Sequence, residues 1–174
     1  FFGQNLSIMK TYFRNKPVII CIGTPQVCGD SLGPRVGDLL VEKYNVDAYV
    51  YGRSARPVNG VNYNRYVEHV KTHHPHSLII AVDACLGEKK DVGRIKYTVK
   101  GLRAGAALNK NLASVGDIGI LGVIAEKSGN NLRSLMKADE RTVLLTAEKA
   151  AEKISAVLSS LRLNYISAFN IIKA

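Results

Sequence analysis

Three apolar runs and one alternating run mark the predicted strands of this chain. Residues 18–22, 78–82 and 118–124 are apolar apart from glycines, which is typical of strands buried on both faces of a parallel sheet. Residues 95–99 alternate apolar and polar side chains, a period of two that predicts an edge strand with one solvated face. A shorter segment at residues 48–51 predicts a further strand between the first two runs.

Apolar side chains spaced three and four residues apart predict helices between these strands. The first helix has its apolar face at Leu32, Val36, Leu39 and Leu40. Asp30 or Ser31 is expected to be its N-cap. The second, which Pro75 ends, has its apolar face at Tyr63, Tyr66, Val67 and Val70. Strand, helix, strand, helix and strand in this order predict an α/β fold with a mostly parallel sheet.

The strongest helical period lies at residues 139–163. Its apolar positions are Val143, Ala147, Ala150, Ile154, Val157 and Leu161, and Leu144, Ala151 and Leu158 widen the stripe. This pattern is too short for a coiled coil and predicts a helix that faces the core. The chain has no internal repeat and no evident linker. We therefore expect residues 1–174 to form one domain, with residues 1–16 as an N-terminal extension.

Composition narrows the class of protein. The 174 residues are 47% hydrophobic and 22% charged, as in ordinary globular domains, which excludes fibrous and low-complexity proteins. The apolar runs fall far short of the about 20 residues that span a bilayer. No basic segment leads into an apolar run at the N-terminus, as a secretion signal would. The three cysteines include no CxxC pair, which fits a reducing compartment. We expect a cytoplasmic protein without a membrane partner.

The formal net charge of +10 raises the question of an acidic partner such as nucleic acid. The cations are scattered along the chain, and no RNA-binding, zinc-finger or helix-turn-helix signature accompanies them. A solvated basic surface is the favoured interpretation, and nucleic-acid binding is the alternative.

Two carboxylates follow predicted parallel strands. Asp30 closes the loop after the first strand, and Asp83 directly follows the strand at residues 78–82. Ligands of open α/β sheets bind where the carboxyl ends of the strands meet, so these side chains approach each other if the strands are neighbours. A carboxylate pair that shares a proton can activate water and protonate a leaving group. Alternatively, Asp30 caps the helix and Asp83 accepts N–H groups of its own turn.

Other polar residues suggest further possibilities. The loop at residues 23–29 lacks the glycine pattern of a nucleotide site. Asp117 is a third polar residue near a strand, with a Gly-Asp turn as its favoured role. Cys28 and Cys85 are close in sequence to the two aspartates, so a metal site or a cysteine nucleophile is an alternative. The histidines of residues 73–76 precede a strand and are expected at the amino end of the sheet.

Three segments, in order, carry a family resemblance. They are residues 21–34, which include Gly29-Asp30-Ser31-Leu32-Gly33-Pro34; residues 81–87, which include Ala81-Val82-Asp83-Ala84; and residues 115–120, Val115-Gly116-Asp117-Ile118-Gly119-Ile120. From about residue 18 to 124 the chain resembles the YyaC sporulation proteins of endospore-forming bacteria. That family is similar to germination protease and to hydrogenase maturation proteases. The resemblance implies a three-layer α/β/α sandwich of the phosphorylase/hydrolase type.

The resemblance also implies an activity. Asp30 and Asp83 match the catalytic aspartates of germination protease, which implies a sporulation-associated peptidase that cleaves a peptide or spore protein without a cofactor. Thr24, Gly29 and Ser31 are expected to shape the loop around the pair, with Asp117 as a further supporting residue. One alternative is a metal-dependent hydrolase with nickel or zinc at Asp30, Asp83 and Cys85. Another is a non-catalytic basic binding protein on a peptidase-like fold.

Overall fold

The computed structural model describes residues 15–99, 101–103 and 114–173, with the backbone alone for residues 103 and 163–173. Its strands are β1 (Val18–Cys21), β2 (Tyr49–Tyr51), β3 (Ile79–Gly87), β4 (Ile95–Thr98), β5 (Leu102–Arg103), β6 (Ser114–Val115) and β7 (Ile118–Glu126). Its α-helices are α1 (Leu32–Glu42), α2 (Tyr63–His73), α3 (Asn131–Met136) and α4 (Glu140–Lys173). Most of the predicted extension at residues 1–16 lies outside the described residues.

The central sheet has the strand order β2-β1-β3-β7-β4. β1 pairs in parallel with β2 and β3, and β3 pairs in parallel with β7. β4 is antiparallel to β7 and forms one edge of this sheet. The predicted mostly parallel sheet and its alternating edge strand are therefore confirmed.

Apolar clusters cover both faces of the sheet. On one face α1, α3 and α4 pack against β1, β3 and β7, and the fully buried side chains include Leu32, Ile124 and Ile154. On the other face α2 packs through Tyr63 and Val67. Alternate side chains of a strand point to opposite faces, so each central strand contributes to both clusters. The protein is an α/β fold with helices on both sides of the sheet, as predicted.

The long helix α4 is tied to α1 by polar contacts as well as by the core. Arg35 forms a salt bridge with Glu140 at 3.0 Å. The hydroxyl of Tyr44 donates a hydrogen bond of 2.7 Å to Glu148, which also pairs with Lys43. These contacts fix the two helices side by side on one face of the sheet.

The structure corrects three details of the predicted elements. Helix α4 extends beyond residue 163, and Leu144 and Val157 are each 45% exposed, so the buried stripe is narrower than predicted. Strand β3 continues past Asp83 because its next residues keep pairing with β7. Part of the predicted loop at residues 101–116 pairs as β5 and β6, and its residues 104–113 lie outside the described residues.

Candidate active site

The loop after β1 leaves the sheet beside the middle of β3. The N–H of Ile22 donates a hydrogen bond of 2.8 Å to the carbonyl of Val82, so the chain departs next to Asp83. Gly23 then has a φ of +146°, and a Cβ there would lie 2.0 Å from the carbonyl oxygen of Asp30. Only glycine allows this approach, and it brings the segment carrying Asp30 onto the end of β1.

Asp30 is anchored across this loop. Its Oδ2 accepts a hydrogen bond of 2.8 Å from the N–H of Thr24, and its side chain is partly exposed. Ser31 is the N-cap of α1, as predicted, but its side chain makes no cap hydrogen bond. The Ser31 hydroxyl instead donates to the carbonyl of Cys28 at 2.6 Å and accepts from Arg35 Nε at 3.1 Å.

Close packing fixes the short turn Gly29–Ser31 that contains Asp30. A Cβ on Gly29 would lie 2.8 Å from Ile124 of β7 and 2.8 Å from the carbonyl of Leu135 in α3. The Cys28 thiol donates to the carbonyl of Ala138 at 3.3 Å. The turn is therefore wedged between the end of the sheet and α3, which leaves little room for the Asp30 backbone to shift.

Asp83 lies inside β3 and not after it. Asp83 is 5% exposed and lies opposite Leu121 of β7. Its Oδ1 accepts a hydrogen bond of 2.8 Å from the N–H of Ala84. The register between β3 and β7 shifts between Cys85 and Leu86. Irregularities of this kind occur next to active sites because they redirect side chains. β1 and β3 are parallel neighbours, and Asp30 lies in the turn Gly29–Ser31 that follows β1. The approach of its side chain to Asp83 stays a prediction.

Tyr63 is a site residue that the sequence argument missed. It is fully buried at the start of α2, in the cluster containing Ala81, which shares the face of β3 with Asp83. Burial, and then the negative charge of Asp83, raise the pKa of Tyr63 to about 12. Its hydroxyl therefore stays protonated near the Asp83 carboxylate. A buried tyrosine needs a hydrogen-bond partner for its hydroxyl group. A tyrosine at an apolar position of the predicted helix was therefore the one sequence signal for a nearby polar group.

Cys85 has the chemistry of an unreactive thiol. Burial, and then the charge of Asp83, raise the pKa of Cys85 to about 11, so the thiolate is a minor species at neutral pH. A cysteine nucleophile at this position is therefore disfavoured. Across the residues that the structure describes, no group of three or more His, Cys, Asp or Glu side chains is arranged to hold a metal ion. Asp30, Asp83 and Cys85 do not form such a group.

Asp117 lies where the parallel strands β3 and β7 begin, which we call the amino edge of the sheet. The carboxyl edge is the end at which the parallel strands leave the sheet. The N–H of Asp117 donates to the carbonyl of Ile79 at 2.8 Å, and its Oδ2 accepts the N–H of Ile79 at 2.8 Å. Asp117 precedes β7 and Ile79 begins β3, so this contact joins the amino ends of two parallel strands. The expectation that Asp117 supports the Asp30 and Asp83 site is wrong, because chain direction places it at the other end of the strands.

The predicted amino-end histidines form a cluster with β2. The ring of His74 lies 4.4 Å from that of Tyr49, and its Nε2 is 2.8 Å from the Tyr51 hydroxyl. His69 and His73 stack with ring centroids 4.1 Å apart. This location at the amino edge agrees with the prediction, whereas the contact with Tyr51 had no sequence signal.

Among the helices that the structure describes, none is both long and apolar enough to cross a bilayer.

Solved structures share this fold. The [NiFe] hydrogenase maturation protease HycI from Thermococcus kodakarensis KOD1 aligns over 88% of this chain and 99% of its own, with a TM-score of 0.57 and 18% identity. A peptidyl-tRNA hydrolase from Acinetobacter baumannii aligns over 88% of this chain and 91% of its own, with a TM-score of 0.59 and 12% identity. At these identities the likeness establishes a peptidase- or hydrolase-like fold and nothing finer.

A sequence relative is much more similar. The chain is 40% identical over 107 residues to the uncharacterized protein YyaC of Bacillus subtilis (strain 168), a match that covers 62% of this chain and 52% of the relative. The match therefore spans about half the length of that curated relative. The family described as protein of unknown function (DUF1256) matches residues 2–157. This range covers most of the chain and includes Asp30, Asp83 and Tyr63. The chain therefore belongs to the DUF1256 family, which agrees with the predicted YyaC resemblance.

Proposed function

We propose that this protein is a peptidase that uses Asp30 and Asp83 as an acid/base pair. The observation that carries the proposal is their placement. Asp83 lies in β3, and Asp30 lies in the turn that follows its parallel neighbour β1. Ligands of open α/β sheets bind where such strands leave the sheet. Each carboxylate accepts a backbone N–H, and Asp83 is buried. Both belong to segments packed tightly enough to preserve their positions.

The roles of the two carboxylates follow from their burial. Two negative charges side by side repel each other, so a pair of this kind holds one proton between its members. Each carboxylate accepts one backbone N–H at 2.8 Å, so burial is what distinguishes them. Asp83 is buried and Asp30 is partly exposed, and burial disfavours the charged form of a carboxyl group. We therefore assign Asp30 as the base and Asp83 as the acid.

The proposed reaction is hydrolysis of an amide bond. Asp30 removes a proton from water as the water oxygen forms a bond to the substrate carbonyl carbon. Asp83 gives its proton to the amide nitrogen as the carbon–nitrogen bond breaks. The products are a carboxylic acid and an amine, which exchange a proton to become a carboxylate and an ammonium group. The proton on Asp30 passes to Asp83 and restores the starting state of the pair. Tyr63, protonated and buried near Asp83, positions that carboxyl group.

We propose that the pair acts without a bound metal ion. The support is geometric. Across the described residues no group of three or more His, Cys, Asp or Glu side chains is arranged to hold a metal ion, and Asp30, Asp83 and Cys85 do not form one. Full cleavage activity after dialysis against a chelator is expected, and activity restored only by added nickel or zinc would favour the metal-dependent hydrolase.

The substrate class follows from the relatives. Identity of 40% to YyaC, together with the resemblance to sporulation proteins, supports a peptide or spore-protein substrate in the cytoplasm of a sporulating cell or in the spore interior. The fold shared with a hydrogenase maturation protease supports cleavage of a protein rather than of a small amide.

The test is the appearance of new peptide termini. Wild-type protein and the Asp30→Asn and Asp83→Asn variants are incubated with a spore-protein extract, and the products are identified by mass spectrometry. Asp47→Asn is the matched control, because Asp47 is a carboxylate that precedes β2, is 65% exposed and pairs with Lys16. We expect new termini with wild type and Asp47→Asn only. Equal cleavage by Asp83→Asn would disprove the pair.

The net charge of +10 supports one competing function, a non-catalytic protein that binds nucleic acid. Such binding weakens steeply with salt, because the protein releases counterions from the phosphates. A fluorescent single-stranded oligonucleotide titrated at two salt concentrations tests this alternative. Tight, salt-dependent binding without any proteolysis would favour it over the peptidase.

A further inference from the structure

A pocket of about 320 Å³ opens between the end of β7 and α3. Its walls are Ala125, Glu126, Ser128, Arg133, Ser134 and Lys137. This volume lies at the lower end of the range for small-ligand pockets. It suits one side chain or another small group better than a whole nucleotide.

The charges in the pocket favour a singly charged anion. Arg133 and Lys137 are four residues apart and contribute two positive charges, while Glu126 contributes one negative charge. Among the described residues neither cation takes part in a salt bridge, whereas Arg35, Lys43 and Arg53 each pair with an acidic side chain. The remaining charge of +1 matches a carboxylate, and Glu126 would repel a phosphate dianion.

Two hydroxyl groups of the pocket hydrogen-bond to each other. Ser128 and Ser134 have their Oγ atoms 2.8 Å apart, and Ser128 also contacts the backbone of Asn130 through its hydroxyl. Each hydroxyl has one hydrogen and can accept two bonds. Ser128 donates its hydrogen to the carbonyl of Asn130 at 3.1 Å, so Ser134 is the donor between the two serines. These bonds hold the wall of the pocket, and Arg133 and Lys137 are the groups that would bind an anion.

Backbone contacts fix the walls of the pocket. The N–H of Lys127 donates to the carbonyl of Gly87 at 2.9 Å, which holds the chain after β7 against β3. The Asn130 side chain accepts the N–H of Arg133 at 3.0 Å and caps α3. The backbone around the pocket is therefore fixed, while the side chains of Arg133 and Lys137 are exposed to solvent.

The pocket and the Asp30 segment share α3 as a wall. Leu135 of α3 is buried against Gly29, beside Asp30, while Arg133 and Lys137 line the pocket. The pocket therefore lies against the same short helix as the segment that carries Asp30.

We propose that this pocket binds the side-chain carboxylate of an acidic residue in the peptide substrate. This inference rests on the proposed function and specifies its substrate class. The net charge of +10 supports it, because a basic protein attracts acidic peptides over long range.

Binding can be measured without cleavage. The probe is the pentapeptide Ala-Ala-Glu-Ala-Ala, acetylated and amidated, titrated into ¹⁵N-labelled protein, with the glutamine peptide as its neutral match. We expect the glutamate peptide, and not the glutamine peptide, to shift the backbone amide signals of Ser128 and Ser134. The Arg133→Ala/Lys137→Ala double variant should raise the Kd at least about tenfold.

The matched control is the Arg65→Ala/Lys71→Ala double variant, which removes the same charge from exposed positions of α2 on the opposite face of the sheet. Its Kd should stay within about twofold of wild type. Equal shifts from the glutamine peptide would overturn the inference. So would a response restricted to a peptide with a free C-terminal carboxylate, to inorganic phosphate or to an oligonucleotide. Glutamate binding by a protein that cleaves no peptide would contradict the peptidase proposal and leave this pocket assignment intact.

Discussion

At the amino edge of the sheet, Asp117 joins β3 to β7, because its N–H and its carboxylate both bond to the backbone of Ile79. At the carboxyl edge, the Asp30 carboxylate bonds across a loop to the N–H of Thr24. Asp117 thus completes the hydrogen bonding between β3 and β7 where both strands begin. Asp30 and Asp83 lie beside a glycine-dependent loop and a strand irregularity. An aspartate therefore serves strand pairing at the amino edge, whereas the aspartates near the carboxyl edge are the proposed catalytic pair.

This difference has a physical origin. The segments that enter the amino edge arrive from α2 and from the β6 turn and continue directly into strands. At the carboxyl edge the chain leaves into loops and helix starts, whose N–H groups have no partner within the helix. Loops at that edge can therefore present polar groups to a ligand without breaking the sheet. The following four predictions test whether stability and activity separate between the two edges.

The largest stability effect is expected from Tyr63, beneath the carboxyl edge. Its pKa is raised to about 12 in the folded protein, first by burial and then by Asp83, compared with about 10 in an unfolded chain. Its stabilising contribution is complete below about pH 10 and is lost as the pH rises to about 12, amounting to about 2–3 kcal/mol. Urea unfolding between pH 9 and 11 should therefore show a steeper loss for wild type than for Tyr63→Phe. Parallel pH profiles would contradict the buried position of this phenol.

Asp117→Ala should weaken the amino edge. The substitution leaves the N–H of Ile79 without the carboxylate that accepts it, and such a loss costs about 1–2 kcal/mol. Asp117→Asn retains an oxygen acceptor and should lose less. Denaturant unfolding measures both variants, and an unchanged midpoint for Asp117→Ala would remove its assigned structural role.

Acid should also weaken the amino edge, by a smaller amount. Burial, and then the positive charges of His69 and His73, lower the pKa of His74. A lowered pKa in the folded state means that this contribution is present above about pH 6.5 and is lost as the pH falls through the folded value. The thermal midpoint of wild type should fall more between pH 7 and 5 than that of His74→Gln. An equal fall in both would place the acid sensitivity elsewhere.

Cys85→Ala should change least. The raised pKa of about 11 keeps its thiol protonated, so it contributes neither a nucleophile nor a metal ligand under the proposed mechanism. The cleavage rate should remain within about twofold of wild type. Iodoacetamide should label Cys85 slowly at pH 7.5 in the folded protein and much faster after unfolding. Rapid labelling of the folded protein together with an inactive variant would support the cysteine-based alternatives.

The sequence predicts the sheet well because its central strands are buried on both faces. The apolar runs at residues 18–22 and 118–124 leave few other folds open, and both coincide with observed strands. The end of β3 was harder to predict. A charged residue normally closes an apolar run, yet Asp83 is enclosed because β7 continues alongside it. Local pattern carries no information about the length of a partner strand.

The site was only partly predictable for related reasons. Strand direction alone predicts that Asp30 and Asp83 lie toward the same end of the sheet, whereas the burial of Asp83 inside β3 does not follow from it. Tyr63 has the helical spacing of an ordinary apolar residue, and only its position relative to Asp83 in the folded chain reveals a further role. The pocket around Arg133 and Lys137 combines residues from two elements with no periodic signal. Such combinations arise from packing and cannot be read from spacing.

The most direct test of the central claim compares Asp83→Asn with Asp117→Ala in one experiment that measures both cleavage rate and thermal midpoint. We predict that Asp83→Asn slows cleavage by about 10²–10⁴-fold with a midpoint close to that of wild type. Asp117→Ala should lower the midpoint and retain cleavage per folded molecule. An Asp83→Asn protein that cleaves at the wild-type rate would contradict the account.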